Sequence, residues 1–163
     1  MTQKEELVNW LNDAYSMEIT NAKILEGHIK DMREFPDIQS RLKQHLGETR
    51  MHAQRLKDCI TEIGEKISAT KTGLGNVMGM LKGRSSSVFQ DDVVKDVLSE
   101  SATEHFEVAC YKSLIAAAEE MNQPRVMQIC RENMGEDQAM ADWVDSQVPL
   151  VTRRFMETRL SAG

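Results

Sequence analysis

The sequence of 163 residues has few of the residues that interrupt helices or favour strands. Aromatic residues make up only 5%, and the three prolines stand at positions 36, 124 and 149. Runs of β-branched residues are scarce, so the composition predicts an all-α protein. The three cysteines, Cys59, Cys110 and Cys130, are too far apart for a CxxC redox pair or a zinc knuckle. Isolated thiols of this kind are typical of a reducing cytoplasm and of a buried helical face.

Two further absences exclude classes of function. No apolar run approaches the roughly 18 residues of a membrane-spanning helix, and the N-terminal residues lack the order of a signal peptide. The net charge of -6 argues against nonspecific binding to nucleic acid or to an anionic membrane. Apolar residues make up 40%, which is enough for a core. We therefore expect a single cytoplasmic domain over residues 1–163, binding neither nucleic acid nor membrane.

Apolar residues recur at helical steps of three and four in two segments of the N-terminal half. The inward positions are Leu7, Leu11, Ala14, Glu18, Ala22, Leu25, Ile29 and Met32, then Ile38, Leu42, His45, Thr49, His52, Leu56, Cys59 and Ile63. The turn Phe35-Pro36-Asp37 separates the two segments, with Asp37 as the expected cap of the second helix. A turn this short predicts an antiparallel hairpin over residues 3–64, ending at Gly64.

The same period marks two segments of the C-terminal half. Their inward positions are Val94, Val97, Ser101, Glu104, Val108, Tyr111 and Ile115, then Val126, Cys130, Asn133, Asp137, Met140 and Val144. A turn at Asn122-Gln-Pro124 predicts a second hairpin over residues 91–147. Pro149 is expected to break the fourth helix, leaving residues 150–161 as a short tail helix.

The segment between the hairpins, residues 65–90, has a different composition. It contains four of the nine glycines, and Gly83-Arg-Ser-Ser-Ser87 is typical of a loop. We predict a long crossover here, with one short helix around Val77 to Leu81. A hairpin, a long crossover and a second hairpin together predict a ferritin-like four-helix bundle.

The two hairpins also resemble each other. Met17-Glu-Ile19 matches Phe106-Glu-Val108, and Leu46-Gly-Glu-Thr49 matches Met134-Gly-Glu-Asp137, at nearly equal separations along the chain. This self-similarity predicts a duplicated hairpin. The duplication would bring four glutamates, Glu18, Glu48, Glu107 and Glu136, to one level of the bundle.

Carboxylates on an apolar stripe are costly unless a cation or a proton compensates them. Glu18 stands between Ala14 and Ala22, and His52 follows Glu48 by one turn. Glutamate oxygen and imidazole nitrogen together suit iron or manganese, and inward glutamates on four helices are typical of a site for two such ions. The candidate ligands are Glu18, Glu48, His52, Glu104, Glu107, Glu132 and Glu136. Glu104 and Glu132, at stripe edges, could instead be solvated. His45 and His105 are expected at the edge of the site, and His28 at the surface or at an interface.

Three segments resemble a known family: Asp13-Ala-Tyr-Ser-Met-Glu18, His45-Leu-Gly-Glu-Thr-Arg-Met-His52 and Glu104-His-Phe-Glu-Val-Ala-Cys-Tyr111. The chain is similar to the small bacterial stress-associated ferritin-like proteins of the YciF/YciE type. The resemblance implies a ferritin-like fold, a dimetal site and a homodimer. One departure is that the fourth helix has no histidine, since Ala139 and Met140 stand one turn after Glu136, so one metal position would lack its imidazole.

Two functions follow from these observations. The first is a dimetal protein that binds two iron or manganese ions and reacts with oxygen or peroxide, as a ferroxidase or a peroxide reductase. The alternative is a metal-free bundle that serves as an interaction or dimerisation module, with its inward glutamates either paired to Arg50, Lys112 or Arg131 or protonated. The missing histidine and apolar tail residues such as Val151 and Phe155 favour the alternative. A homodimer is expected in both cases. The apolar tail and the many Met and Leu residues give the chain more apolar surface than a bundle of four helices can bury.

Overall fold

The computed structural model describes residues 2–68 and 92–160, and the described residues form helices and turns without a strand. Helix α1 spans Gln3–Asp31, a short 3-10 turn spans Met32–Glu34, and α2 spans Pro36–Glu62. Helix α3 spans Asp92–Glu120 and α4 spans Pro124–Leu160. The predicted all-α bundle is confirmed. The predicted crossover and its short helix lie, apart from residues 65–68, outside the described residues.

Local sequence explains where the first two helices begin. At the start of α1, the Thr2 hydroxyl accepts from the Glu5 N–H while the Glu5 carboxylate accepts from the Thr2 N–H, a reciprocal capping box. The prediction that Asp37 caps α2 was wrong. Pro36 occupies the first turn, where its fixed φ and missing N–H are tolerated. Gly64, with φ of +82°, follows the end of α2 as predicted.

The interior of the bundle has two apolar ends. One cluster includes Leu11, Leu56, Leu114 and Ile129, and the other includes Leu25, Leu42, Val97 and Val144. The first half of α2 and the first half of α3 therefore lie at the same end of the bundle, so these two helices run parallel. The end of α2 and the start of α3 lie at opposite ends of the bundle, which is the connectivity that the sequence predicted. In the described ranges, no helix combines the length and hydropathy needed to cross a membrane.

The cysteines are packing residues. All three are free thiols, with Cys59 and Cys130 buried and Cys110 half-buried. Burial raises the pKa of Cys110 to about 11 and that of Cys130 to about 12. Because the thiolate is the reactive form, these thiols are inert near neutral pH.

Helix α4 does not break at Pro149, so the predicted separate helix over residues 150–161 was wrong. A proline inside a helix costs about 3 kcal/mol, and contacts beyond it offset that cost. Val151 is fully buried in the second apolar cluster. Arg154 lies 4.8 Å from the centre of the Phe35 ring and donates to the Asp37 carboxylate at 3.1 Å.

Replacing this proline should stabilise the protein. Pro149→Ala supplies the N–H that the Asp145 carbonyl lacks in the helical ladder, and we expect the free energy of unfolding to rise by about 1–3 kcal/mol. Urea unfolding of the two proteins measures the difference. Arg153→Ala, at an exposed position on the same helix, serves as the control. An unchanged or lower midpoint for Pro149→Ala would show that the proline is not strained in α4.

Candidate metal centre

Between the two apolar clusters lies a layer of polar side chains contributed by all four helices. Each is at most 1% exposed. Its members are Glu18, Asn21, His45, Thr49, His52, Glu104, Glu107, Asn133 and Asp137. So many polar groups in a core are stable only if hydrogen bonds, protons or a bound cation compensate them. We call these nine residues the polar layer.

Within the polar layer, two groups of three residues have the spacing of metal ligands. Glu18, His52 and Asp137 form one group, and His45, Glu104 and Asp137 form the other. In each group, one potential ligand atom from every residue lies within 4.8 Å of the others. Asp137 belongs to both groups, so one carboxylate joins two adjacent positions that each include one imidazole.

His52 presents one nitrogen to the first position. Its Nδ1 lies 3.5 Å from Glu18 Oε1 and 3.3 Å from Asp137 Oδ1, and it has no hydrogen-bond partner among the described residues. Its Nε2 lies 2.7 Å from Glu136 Oε2. Arg55 donates to both oxygens of Glu136, at 3.1 and 3.2 Å. The Glu136 carboxylate therefore holds the ring so that Nδ1 faces the other carboxylates.

His45 is held in the same way at the second position. Its Nε2 lies 2.9 Å from Glu104 Oε1, and its Nδ1 lies 2.8 Å from Glu48 Oε2. Arg41 donates to the same Glu48 oxygen at 3.2 Å. An arginine, a glutamate and a histidine thus form a chain from the surface to each position.

The structure distributes the predicted ligands unequally. Glu18, His52, Glu104 and Glu107 lie in the polar layer. Glu48 and Glu136 are half-buried and contact the outer nitrogens of the two histidines. Glu132 is exposed and accepts from Gln128 at 2.9 Å, away from the layer.

The sequence interpretation missed two members of the groups. His45 was expected at the edge of the site and is fully buried at its centre, and Asp137 was not among the candidate ligands. Both lie on inward stripes of the sequence, which was the signal that could have identified them. His105, by contrast, is exposed and lies 3.0 Å from Asp145.

The prediction that His28 lies at the surface was also wrong, since it is 3% exposed. Its Nε2 lies 3.3 Å from Asp96, and its Nδ1 contacts Glu100. Asp96 and Glu100 precede Glu104 on α3 by two turns and one turn. A line of acidic side chains therefore extends along the inner face of α3 towards the polar layer.

Several oxygens of the polar layer have no hydrogen-bond partner. Among the described residues these are Asn21 Oδ1 and the carboxylate oxygens Glu18 Oε2, Glu104 Oε2, Glu107 Oε1 and both of Asp137. No lysine or arginine in the described ranges forms an ion pair with these four carboxylates, which share only two imidazoles. Unpartnered buried carboxylate oxygens beside imidazole nitrogens fit a pair of divalent cations.

Neutral side chains fix two of the carboxylates. The Tyr111 hydroxyl donates to Glu18 Oε1 and accepts from the Asn133 amide at 2.9 Å. The Asn21 amide donates to Glu107 Oε2 at 3.2 Å. These contacts leave the other oxygen of each carboxylate available.

Burial and mutual repulsion favour protons in the polar layer. Burial raises the pKa of Glu107 and of Asp137 well above the usual range, and the charge of Glu18 raises both further. Burial alone would lower the pKa of His45, but the carboxylates of Glu104 and Glu48 raise it to about 9. The pKa of His52 is raised in the same way by Glu18 and Glu136. The layer therefore holds protons near neutral pH that a cation would have to displace.

The salt bridges expected for a metal-free bundle do not form. Arg50 pairs with Glu26 and Arg131 pairs with Glu119, in each case between exposed side chains. Lys112 is exposed on α3. Arg41 reaches the half-buried Glu48, and Arg55 reaches the half-buried Glu136 and the Asn133 amide oxygen. Neither arginine pairs with a buried carboxylate of the layer.

Comparisons with known proteins agree with this architecture. A family model described as a domain of unknown function, DUF892, matches residues 2–157. The Xanthomonas campestris pv. campestris protein XCC3681 superposes with a TM-score of 0.83 at 26% identity, over 98% of this chain and 99% of that chain. YcfI of Rhodopseudomonas palustris gives 0.78 at 24% identity, over 89% and 94% of the two chains. The E. coli stress protein YciF gives 0.81 at 17% identity, over 94% and 98%. The predicted resemblance to the YciF/YciE type is confirmed.

Proposed function

Because the chain belongs to the DUF892 family and has a YciF-like helical bundle, we propose that it is a ferritin-like dimetal-carboxylate protein. It binds two iron or manganese ions in the polar layer and reacts with oxygen or peroxide. One observation carries the proposal. Asp137 has two unpartnered carboxylate oxygens and belongs to both groups of potential ligands, as a bridging carboxylate would.

Each position has one imidazole and hard oxygen ligands. His52 Nδ1 with Glu18 would hold one ion, and His45 Nε2 with Glu104 the other. Asp137 is shared, and burial together with the charges of Glu18 and Asp137 raises the pKa of Glu107, a further buried carboxyl group of the layer. This ligand set suits iron or manganese better than a soft metal ion. His45 supplies the imidazole that the fourth helix lacks, so the absent histidine in α4 does not argue against a pair of ions.

The chain's own residues prepare the centre. A bound pair of such ions would supply electrons to an oxidant. The apolar clusters on both sides limit access of water, and the Tyr111 hydroxyl holds a proton at Glu18 Oε1. Glu48 and Glu136 accept from the outer nitrogens of the histidines, which keeps the inner nitrogens free of protons when metal is present.

Metal loading tests the proposal. Protein purified without chelator and reloaded with Fe(II) or Mn(II) should contain about two equivalents per chain and should melt at a higher temperature than protein in EDTA, because binding stabilises the native state. Oxidation of bound Fe(II) by dioxygen or hydrogen peroxide, followed by absorbance, tests the reaction. A folded protein that retains no metal, with a melting point unaffected by EDTA or metal, would instead support the metal-free interaction module.

Glu136 and Glu132, one turn apart on α4, offer a matched pair of variants. Glu136→Gln removes the carboxylate that Arg55 and His52 share, and we expect metal affinity to fall by roughly 10- to 100-fold. Glu132→Gln changes an exposed residue and should leave affinity unchanged. Isothermal titration with Mn(II) measures both. Equal losses of affinity in the two variants, or a loss confined to Glu132→Gln, would contradict the role of Glu136 in holding the ligand His52.

We also propose that the protein forms a homodimer in the cytoplasm and acts in a stress response. The resemblance to a stress protein supports the role. Large apolar side chains that remain 37–53% exposed support the dimer, namely Trp10, Ile19, Met51, Leu150 and Met156. Light scattering at micromolar concentration should give the mass of two chains. The mass of one chain would contradict the dimer.

A further inference from the structure

A cleft between α1 and α2 leads towards the polar layer. Its volume is about 140 Å³, and Glu18 forms part of its lining. A larger cleft of about 270 Å³, next to Trp10 and Cys110, contacts none of the proposed metal ligands. The α1–α2 cleft is therefore the one of the two that approaches the centre.

Two alanines make this approach possible. Ala22 of α1 and Ala53 of α2 both line the α1–α2 cleft and are 8% and 5% exposed. Larger side chains at these positions would fill the space in front of Glu18. The Glu18 side chain itself is fully buried, with Oε2 unpartnered among the described residues. The opening is large enough to admit water-sized molecules.

The rim of the cleft is cationic. Arg50 and Lys57 of α2 both line it, whereas Glu18 is the one acidic residue of its lining. Arg50 pairs with Glu26 at 2.7 Å, whereas Lys57 is exposed and forms no ion pair with a described residue. Lys57 therefore supplies the uncompensated positive charge of the rim. Positive charge at the rim disfavours the approach of a divalent metal ion and does not hinder a neutral or anionic molecule.

We infer that the α1–α2 cleft is the entrance through which a small oxidant with an oxygen–oxygen bond, dioxygen or hydrogen peroxide, reaches Glu18. The metal ions enter elsewhere. What the oxidant does at the centre depends on the proposed function. The entrance itself is already present in the apo-protein. The identity of the oxidant is read from which of the two oxidises the Fe(II)-loaded protein.

Dissolved dioxygen is a paramagnetic probe that needs no metal. In apo-protein equilibrated with oxygen, the methyl resonance of Ala22 should relax several-fold faster than that of Ala141, which is fully buried on α4. Ala53→Leu should remove the enhancement at Ala22. Ala116→Leu, at an exposed position on α3, is the matched control and should preserve it. If oxygen does not enhance the relaxation rate of the Ala22 methyl in the wild-type apo-protein, the α1–α2 cleft is not an entrance, whether or not the protein binds metal.

The metal-loaded protein gives a second measurement. We expect Ala53→Leu to weaken azide binding to the Co(II)-loaded protein by roughly tenfold or more, read from the visible spectrum, with unchanged Co(II) stoichiometry and uptake rate. Ala22→Val makes a smaller change if Ala53→Leu does not fold, and should act in the same direction. Azide affinity unaffected by either variant, or Co(II) uptake slowed together with it, would overturn the inference. Failure of the wild type to bind Co(II) would count against the proposed function alone, because the dioxygen measurement on the apo-protein tests the entrance separately.

Discussion

Asp137→Asn is expected to abolish the binding of both metal ions, lowering affinity by more than about 100-fold. Asp137 is the residue common to the two groups of potential ligands, so its loss removes a ligand from each position at once. Elemental analysis after reloading measures the effect. Asp142→Asn is a matched control on the same helix, since Asp142 is exposed and accepts from Gln138. Retention of two equivalents by Asp137→Asn would contradict its role as the shared ligand.

The same substitution should stabilise the apo-protein. Both carboxylate oxygens of Asp137 are buried without a partner among the described residues, and Glu18 and Glu104 repel its charge. A neutral amide avoids both that repulsion and the free-energy cost of protonating the buried carboxyl group, and we expect the free energy of unfolding in EDTA to rise by on the order of 1–3 kcal/mol. A large fall, together with unchanged metal content, would show that Asp137 is structural and that the proposed centre is wrong.

The second large effect is a pH dependence of the apo-protein with an unusual sign. Burial raises the pKa of Asp96 from 3.8 to about 7, while neighbouring carboxylates raise that of His45 from 6.5 to about 9. In both cases the folded state binds protons more tightly than the unfolded state does. The stabilising proton of His45 is fully present below pH 6.5 and is lost as the pH rises through 9. The burial cost of ionised Asp96 appears as the pH rises from about 4 to 7.

Both His45 and Asp96 lower the free energy of unfolding as the pH rises. Glu107 and Asp137 do the same, because their pKa values are also raised. Glu48 and Glu136 have lowered pKa values, so they lower the free energy of unfolding as the pH falls, but only below about pH 4.5. We expect the melting temperature in EDTA to fall by about 10 °C or more between pH 5 and pH 9. Thermal melts at three pH values test this, with Asp137→Asn showing a shallower slope. A melting temperature that rises over this range would contradict the account of the polar layer.

The helices were predictable because each depends on local periodicity and turn residues. The four inward stripes of the sequence are buried almost throughout, and Gly64 and the turn before Pro124 separate elements as expected. Pro149 was misjudged because local rules do not include the burial of Val151 or the contact of Arg154 with Phe35. Tertiary contacts at the end of α4 outweigh the local cost of the proline.

The site was predictable only in part, because periodicity gives the face of a residue but not its distances. Glu48 and Glu136 were chosen from the internal repeat, yet each is offset from the inward stripe of its helix. His45 and Asp137 are on those stripes and reach the centre. No sequence pattern indicated that Glu136 holds the outer nitrogen of His52, since the two residues are 84 positions apart. That pairing depends on how α2 and α4 pack.

The most direct test of the central claim is anomalous scattering from crystals of the wild-type protein grown or soaked with Fe(II) or Mn(II). We predict two peaks in the polar layer, one among Glu18, His52 and Asp137 and the other among His45, Glu104 and Asp137, with Asp137 contacting both. Fully soaked crystals with no peak in the layer, or with metal bound only outside it, would contradict the claim that these four helices form a dimetal centre.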